Sequence, residues 1–416
     1  MDTAVEIDGI PADEIAKQFG TPVYVYSFKK IEESINKIKA PFKKGPGIFY
    51  AVKANGLLSI LSFIFQKECG FDVVSGGELK RIRAAKAQDA PIVFAGVGKE
   101  EWEIKEAVLK HNLLFINSES IDELKLLQKI GKEIKKEIPV SIRLNLDIEA
   151  GGHKYIETAK KETKFGITPS QAKVAYDLIK KSDKLLFKGF HVHLGSLVDD
   201  SSRYIEAAEK VVKLFDEILS MESKNNKLYY DAGGGFAIGL NPWEKDFDFE
   251  KLAKELEPII EKNNLNLVVE PGRYIVGKAG FLLTKVLGVK VSDGKKFVIV
   301  DAGMNDFLRP ALYGGNHFIW PAKGEKIPDS PLEKGNIDIV GPVCETGDFL
   351  GINRYIPDVS PGDIICVFSC GAYGASMASR YNSRRLPKEV VIKDGKPIVA
   401  KKRENFEDIW RGELLI

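Results

Sequence analysis

Cysteine and histidine are scarce in this chain of 416 residues: four cysteines, at 69, 344, 366 and 370, and five histidines. There is no Cys-x-x-Cys pair and no His/Cys cluster at zinc spacing, so neither a disulfide framework nor a metal site is expected. Cys366 and Cys370 lie in an apolar, strand-like segment and are expected to be buried thiols, which suits the reducing cytoplasm. Excess charge of either sign is also lacking. The 61 Lys and Arg are interspersed with 59 Asp and Glu, for a net charge of +2, which argues against nucleic acid or a membrane surface as partner. No apolar run is long enough to span a bilayer. The opening residues Met1-Asp2-Thr3-Ala4-Val5-Glu6 are polar and acidic, so no signal peptide is expected. Glutamine is sparse while Lys, Glu and Ile are abundant, a bias found in proteins from hot environments.

The apolar content of 44% is enough for a large core, and the length allows a barrel plus a second domain. From residue 48 to 272, short β-branched runs alternate with helical spacing. The runs are Ile48–Ala54, Phe71–Ser75, Ile92–Gly96, Leu113–Ser118, Val140–Asn145, Gly189–Gly195, Leu228–Gly235 and Leu265–Gly272. The clearest helix covers 203–219, with Tyr204, Ala207, Val211, Leu214, Phe215 and Ile218 on one face. Eight strands alternating with helices predict a closed (β/α)8 barrel of the TIM type, with an open doubly wound sheet as the alternative. After about residue 281 the pattern changes to strands joined by Gly, Pro and Asp turns: Phe281–Val291, Phe297–Asp301, Asp338–Val343 and Asp363–Phe368. The expected division is a barrel over 30–280 and a β-rich domain over 1–29 plus 281–416, joined by the strand Val23–Tyr26.

In a β/α barrel, chemistry gathers where the strands end. Lys53 ends the first strand, Arg143 lies on the fifth, and His191-Val192-His193-Leu194-Gly195-Ser196 ends the sixth. Asp231-Ala232-Gly233-Gly234-Gly235 ends the seventh and Glu270-Pro271-Gly272-Arg273 the eighth. A lysine at a strand end ordinarily snorkels to water, a lone histidine is ordinarily a satisfied core residue, and a lone triple glycine is ordinarily a turn. Their convergence on one rim points elsewhere. An amine shielded from water can add to an aldehyde. Glycine backbone can approach a phosphate closely. A carboxylate can keep a ring nitrogen protonated, and an imidazole can serve as an aromatic platform. That set suits pyridoxal 5′-phosphate (PLP), an electron sink for carbanion chemistry.

These motifs, in this order, resemble the diaminopimelate decarboxylases, a branch of the alanine racemase-like, fold-type III PLP enzymes. The resemblance is carried by Tyr50-Ala51-Val52-Lys53-Ala54-Asn55, His191–Ser196, Asp231–Gly235, Glu270–Arg273, Gly341-Pro342-Val343-Cys344-Glu345 and Gly371-Ala372-Tyr373. It implies that Lys53 binds the cofactor aldehyde, His193 stacks on its ring, and Glu270 pairs with its pyridine nitrogen. Ser196, the loop Gly233, Gly234 and Gly235, and the main chain of Gly272 and Arg273 would hold its phosphate. Asp72, Arg143 and Tyr373 join the implied cofactor set. Arg273, Arg309, Tyr313, Glu345 and Tyr373 would bind an amino-acid substrate. Cys344 would donate a proton from the second subunit of a homodimer with shared active sites.

Two segments favour the diaminopimelate branch over relatives acting on arginine, ornithine or carboxynorspermidine, or over a non-catalytic PLP-binding homologue. One is the lid-like stretch from Gly152-His153-Lys154-Tyr155-Ile156 to Lys164-Phe165-Gly166-Ile167. The other is Asp301–Asp306 followed by Arg309-Pro310-Ala311-Leu312-Tyr313, whose Arg309 suits a distal carboxylate. The implied reaction is decarboxylation of meso-2,6-diaminopimelate to L-lysine and carbon dioxide, the last step of lysine biosynthesis. Two residues depart from the family pattern: Leu197 stands where glutamine is usual, and Ala159 where glycine is usual. They put local hydrogen bonding and lid flexibility in question.

Overall fold

The computed structural model describes residues 4–148, 164–219 and 228–416. By compactness the chain forms two units, one of residues 34–237 and 246–274, the other of residues 1–33, 238–245 and 275–416.

The first unit is a closed barrel of eight parallel strands. They are Gly47–Ala51, Gly70–Val73, Pro91–Phe94, Asn112–Ser118, Ile138–Leu144, Leu185–Val192, Leu228–Asp231 and Leu265–Val269. Each pairs with its sequence neighbour, and the eighth returns to the first through Val268 beside Gly47 and Val269 beside Ile48. All eight expected strands are present, and closure excludes the open-sheet alternative. Several end earlier than expected. The first strand stops at Ala51, and Val52–Ala54 form a 3₁₀ turn, so Lys53 leaves the ladder and rises onto the rim. The helix Ser202–Ile218 buries Tyr204, Ala207, Ala208, Val211, Leu214, Phe215 and Ile218, which includes every residue of the expected face. Each of the larger side chains, Val211, Leu214, Phe215 and Ile218, contributes roughly 1.5–3 kcal/mol by burial, so the stripe, more than helix propensity, holds the helix in place.

The second unit is built on the long strand Gly280–Ser292. It pairs antiparallel with Val23–Ser27, Ile364–Val367 and Lys295–Val300, so the N-terminal strand joins this sheet as expected. Sequence reading omits Ile319–Pro321, Phe349–Arg354, Lys388–Lys393 and Lys396–Lys401. The last two form a hairpin whose turn, Asp394-Gly395, has positive φ at both residues, 51° and 71°. An Asp-Gly pair between β-branched runs is a strong hairpin signal, so these strands were legible. Val390 and Ile392 join Val23, Val25, Phe281, Leu283 and Trp320 in this unit's core. Among the described residues, no helix is long and apolar enough to cross a membrane.

Candidate active site

The barrel's strand ends bring most of the expected residues together. Lys53, lifted by its 3₁₀ turn, donates from Nζ to Asp72 Oδ2 at 2.8 Å. Its side chain stays 35% exposed while that of Asp72 is fully buried, so the amine faces an opening and its partner faces the core. Burial, and then the charge of Glu270, push the Asp72 carboxyl up, while Lys53 pulls it down.

Glu270 lies just past the eighth strand and is 3% exposed. Burial alone would raise its carboxyl. The nearby His191 and the Lys53 amine outweigh that and hold it well below the usual range, so it stays ionised. His191 Nε2 lies 3.3 Å from Glu270 Oε2. That is ion-pair distance without hydrogen-bond alignment, since both ring nitrogens of His191 are buried with no hydrogen-bond partner among the described residues. Asp231, at the end of the seventh strand, is fully buried. Burial and the neighbouring charge of Glu270 drive its carboxyl well above the usual range. Two like charges cannot both persist in one dry site, and here Asp231 holds the proton. The Asn117 amide spans the two acids, 3.4 Å from Asp231 Oδ2 and 3.3 Å from Glu270 Oε1.

Close approach requires the glycines of the loop after the seventh strand. A Cβ on Gly234 would stand 2.2 Å from the Glu270 carbonyl oxygen, and one on Gly235, whose φ is 98°, 2.2 Å from that of Gly195. The Gly233 amide donates to Asp231 Oδ1 at 3.0 Å and the Gly234 amide to His193 Nδ1 at 3.2 Å. Two of the three amides thus tie the loop to the barrel's own residues. The accepting Nδ1 fixes the His193 proton on Nε2, and burial, helped by the charges of Arg143 and Lys53, keeps this ring neutral. Tyr204 supports the loop from below, donating to the Gly234 carbonyl at 2.9 Å.

Arg143 is 6% exposed and pairs with Glu119 Oε1 at 2.6 Å, its guanidinium 4.7 Å from the Phe165 ring centre. Glu119 also accepts from the Gly166 amide at 2.9 Å. The end of the lid-like motif, Lys164–Ile167, is therefore tied beside the fifth strand, while Gly152–Ile156 and Ala159 lie outside the described residues. Leu197 has φ 61°, left-handed backbone that costs a branched side chain about 1–3 kcal/mol.

Arg309, Tyr313, Cys344, Glu345 and Tyr373 belong to the β-rich unit. Arg309 is 3% exposed and opens a five-residue helix, its guanidinium 5.5 Å from the Tyr313 ring centre. Cys344 and Glu345 are exposed. The Cys344 amide donates to Asn382 Oδ1 at 3.1 Å, and Tyr381 donates to Glu345 Oε2 at 3.1 Å. Tyr373 has φ 56°, a second left-handed position.

Sequence reasoning names Asp231 only as the first residue of the glycine motif, with no role of its own, and does not single out Asn117, Glu119, His317, Tyr381 or Asn382. Asn117 and Glu119 follow the same strand-end rule as Lys53. The others are recognisable only by what they touch.

His191, His193 and Glu270 place three ligand-type atoms within 4.8 Å of one another. The donor set fits PLP better than a metal. An ionised, dry Glu270 suits a pyridinium N–H, and Lys53 on Asp72 suits an aldehyde. Asp72 Oδ1, Asn117 Oδ1 and the His191 nitrogens leave unsatisfied polar atoms around the site. A closed barrel with this rim defines the fold-type III class of PLP enzymes. In agreement, residues 28–277 match the model for the pyridoxal-binding domain of pyridoxal-dependent decarboxylases. The diaminopimelate decarboxylase of Aquifex aeolicus is 40% identical over 408 residues, covering 98% of this chain and 95% of that protein. The structure of diaminopimelate decarboxylase from Helicobacter pylori complexed with L-lysine is 40% identical, with a TM-score of 0.88 over 96% of this chain and 98% of that one. The enzyme from M. jannaschii, in co-complex with L-lysine, is 32% identical, with a TM-score of 0.90 over 100% and 97%. The chain belongs to the diaminopimelate decarboxylase family.

Proposed function

We propose that the chain is a PLP-dependent carboxy-lyase that converts meso-2,6-diaminopimelate to L-lysine and carbon dioxide. The observation that carries this is the pairing of a lysine amine on Asp72 with a buried, ionised Glu270 on one barrel rim, in a chain 40% identical to diaminopimelate decarboxylases over nearly its whole length. When bound, PLP supplies a sink for the electron pair left behind as the carboxylate departs. The residues do the rest. Lys53 anchors the cofactor and Asp72 orients that amine. Glu270 holds the proton at the pyridine nitrogen, with Asp231 and Asn117 keeping its oxygens in place. His193 stacks, and Arg143 and Tyr373 complete the cofactor's surroundings. Ser196, the loop Gly233, Gly234 and Gly235, and the main chain of Gly272 and Arg273 would hold the phosphate.

Arg309 grips the carboxylate of the non-reacting centre, as a planar fork suits, and Glu345 takes the amine of that centre. Tyr313, Arg273 and Tyr373 complete substrate binding. The Cys344 thiol gives its proton to Cα as a general acid. It does so across a homodimer, since an exposed thiol gains a dry site only against a partner surface. The PLP-binding domain spans 30–280. The free cysteines suit a cytoplasmic enzyme. The test is to supply purified protein and PLP with meso-, L,L- and D,D-diaminopimelate, arginine and ornithine, measuring carbon dioxide and the amine product. Lysine from the meso isomer alone is expected. Comparable turnover of arginine or ornithine would overturn the assignment.

A further inference from the structure

Arg309 does not stand alone. The helix Arg309–Tyr313 ends at Gly314, whose left-handed φ of 62° turns the chain back. Gly315 then donates its amide to the Arg309 carbonyl at 3.3 Å. Two residues later His317 lies fully buried against the arginine that began the helix. Its Nε2 accepts from Arg309 Nε at 3.4 Å, and its Nδ1 lies 3.0 Å from the Phe368 carbonyl oxygen. The Phe307 ring meets the imidazole edge-on, with ring centres 4.7 Å apart.

These contacts fix the chemistry of the ring. A carbonyl oxygen can only accept, so the histidine proton sits on Nδ1. Nε2 then offers a lone pair to a guanidinium N–H, which a protonated ring could not do. With Nε engaged, a carboxylate that Arg309 grips twice must meet it end-on, through Nη1 and Nη2.

We propose that His317 is a positioning residue for substrate specificity, holding Arg309 by Nε so that its Nη1/Nη2 end faces the carboxylate of the substrate's non-reacting centre. This rests on the role of Arg309 proposed above. L-Lysine retains that carboxylate, and 1,5-diaminopentane lacks it, so the pair separates aiming of Arg309 from general integrity of the site.

The test uses the PLP-loaded protein and the variants His317→Phe, His317→Gln and Arg309→Lys, with binding of L-lysine and of 1,5-diaminopentane measured beside steady-state kinetics. Phenylalanine keeps the packing on Phe307 and loses both hydrogen bonds. Glutamine can still present an oxygen to Nε. His317→Phe should weaken L-lysine binding and raise KM for meso-diaminopimelate by about tenfold, the scale of one hydrogen bond to a charged group. Its kcat should change by less than about threefold, as for loss of uniform binding. Binding of 1,5-diaminopentane should hold within about twofold on the same logic. His317→Gln should recover part of the loss. In Arg309→Lys the further change His317→Phe should add little, since the two act as one unit. Unchanged L-lysine binding in His317→Phe, or equal losses for L-lysine and the diamine, would overturn the proposal. If Arg309→Lys itself leaves L-lysine binding intact, the role of Arg309 fails instead. Should His317→Phe not fold, the ratio of the two affinities in His317→Gln decides.

Discussion

At the barrel rim, Asp72 and Asp231 are fully buried and Glu270 is 3% exposed, and burial together with charged neighbours sets the protonation state of each. The Cys344 loop is built differently. Cys344 and Glu345 lie in water, and what holds them is a backbone amide on Asn382 and a tyrosine hydroxyl from Tyr381. Groups in a dry site have their chemistry preset, because a low local dielectric magnifies each neighbour. Groups in water have their position preset and little else. A rim of the first kind can bind a cofactor by itself, whereas a thiol of the second kind needs a surface to close over it.

The largest effect should come from the preset side. Lys53→Ala should leave almost no activity, and borohydride reduction of the wild-type holoenzyme should leave a pyridoxyl group on Lys53 by peptide mapping. A label on another lysine would move the site. Next is the water-side group. Cys344→Ala should slow turnover by about 10²–10⁴, the usual worth of a positioned general acid, without weakening PLP binding. Mixing it with Lys53→Ala under subunit exchange sharpens the contrast. About half the dimers are then hybrids with one intact site of two, so roughly a quarter of wild-type activity should return. Verified exchange with no recovery would mean that Cys344 serves its own chain or none. Smaller again is Arg309→Lys, which keeps charge but loses the fork. A loss of roughly 1.5–3 kcal/mol in kcat/KM is expected, with the cofactor's absorption spectrum intact.

The two regions also differed in how much the sequence disclosed. The barrel was legible because alternating β-branched runs and helical stripes are local signals, and because each strand end carries a short polar motif. Its protonation pattern was not. Nothing in Asp231-Ala232-Gly233 says that Asp231 keeps a proton so that Glu270 can be ionised, since that depends on two strands meeting across an Asn117 amide. The same holds for the hydrogen bonds of the Gly233 and Gly234 amides to Asp231 and His193, which the triple glycine alone does not announce. In the β-rich unit, Cys344 and Arg309 are singled out by motif. Their supports, Asn382 and His317, sit in turns that pattern reading passes over. Leu197 sits in left-handed backbone, which strains leucine and the usual glutamine alike, so nothing in the backbone explains that departure.

The smallest effect tests the contrast through stability. Glu78 lies in the first turn of the helix Gly76–Ala84, below Lys53 and Asp72, and accepts from the Val74 amide at 2.7 Å. Burial pushes its carboxyl up from 4.5 to about 7, and the charge of Asp72 adds to this against the Val74 bond and Lys53. The unfolded chain has no such burial, so between about 4.5 and about 7 the folded state holds a proton that the unfolded state has lost. Stability from this group is therefore full below about pH 4.5 and is lost as pH rises through about 7. At about 1.4 kcal/mol per unit, and discounting for the side chain's partial exposure, the loss is on the order of 2 kcal/mol. Glu78→Gln keeps an acceptor for Val74 and cannot ionise. It should match the wild type in urea unfolding near pH 4.5 and exceed it by about that amount above pH 7. The same swap at exposed Glu345 should change stability by less than about 0.5 kcal/mol at either pH. A Glu78→Gln gain that does not grow with pH would show that the barrel's carboxylates are hydrated like those of the Cys344 loop, and the contrast between the two regions would fall.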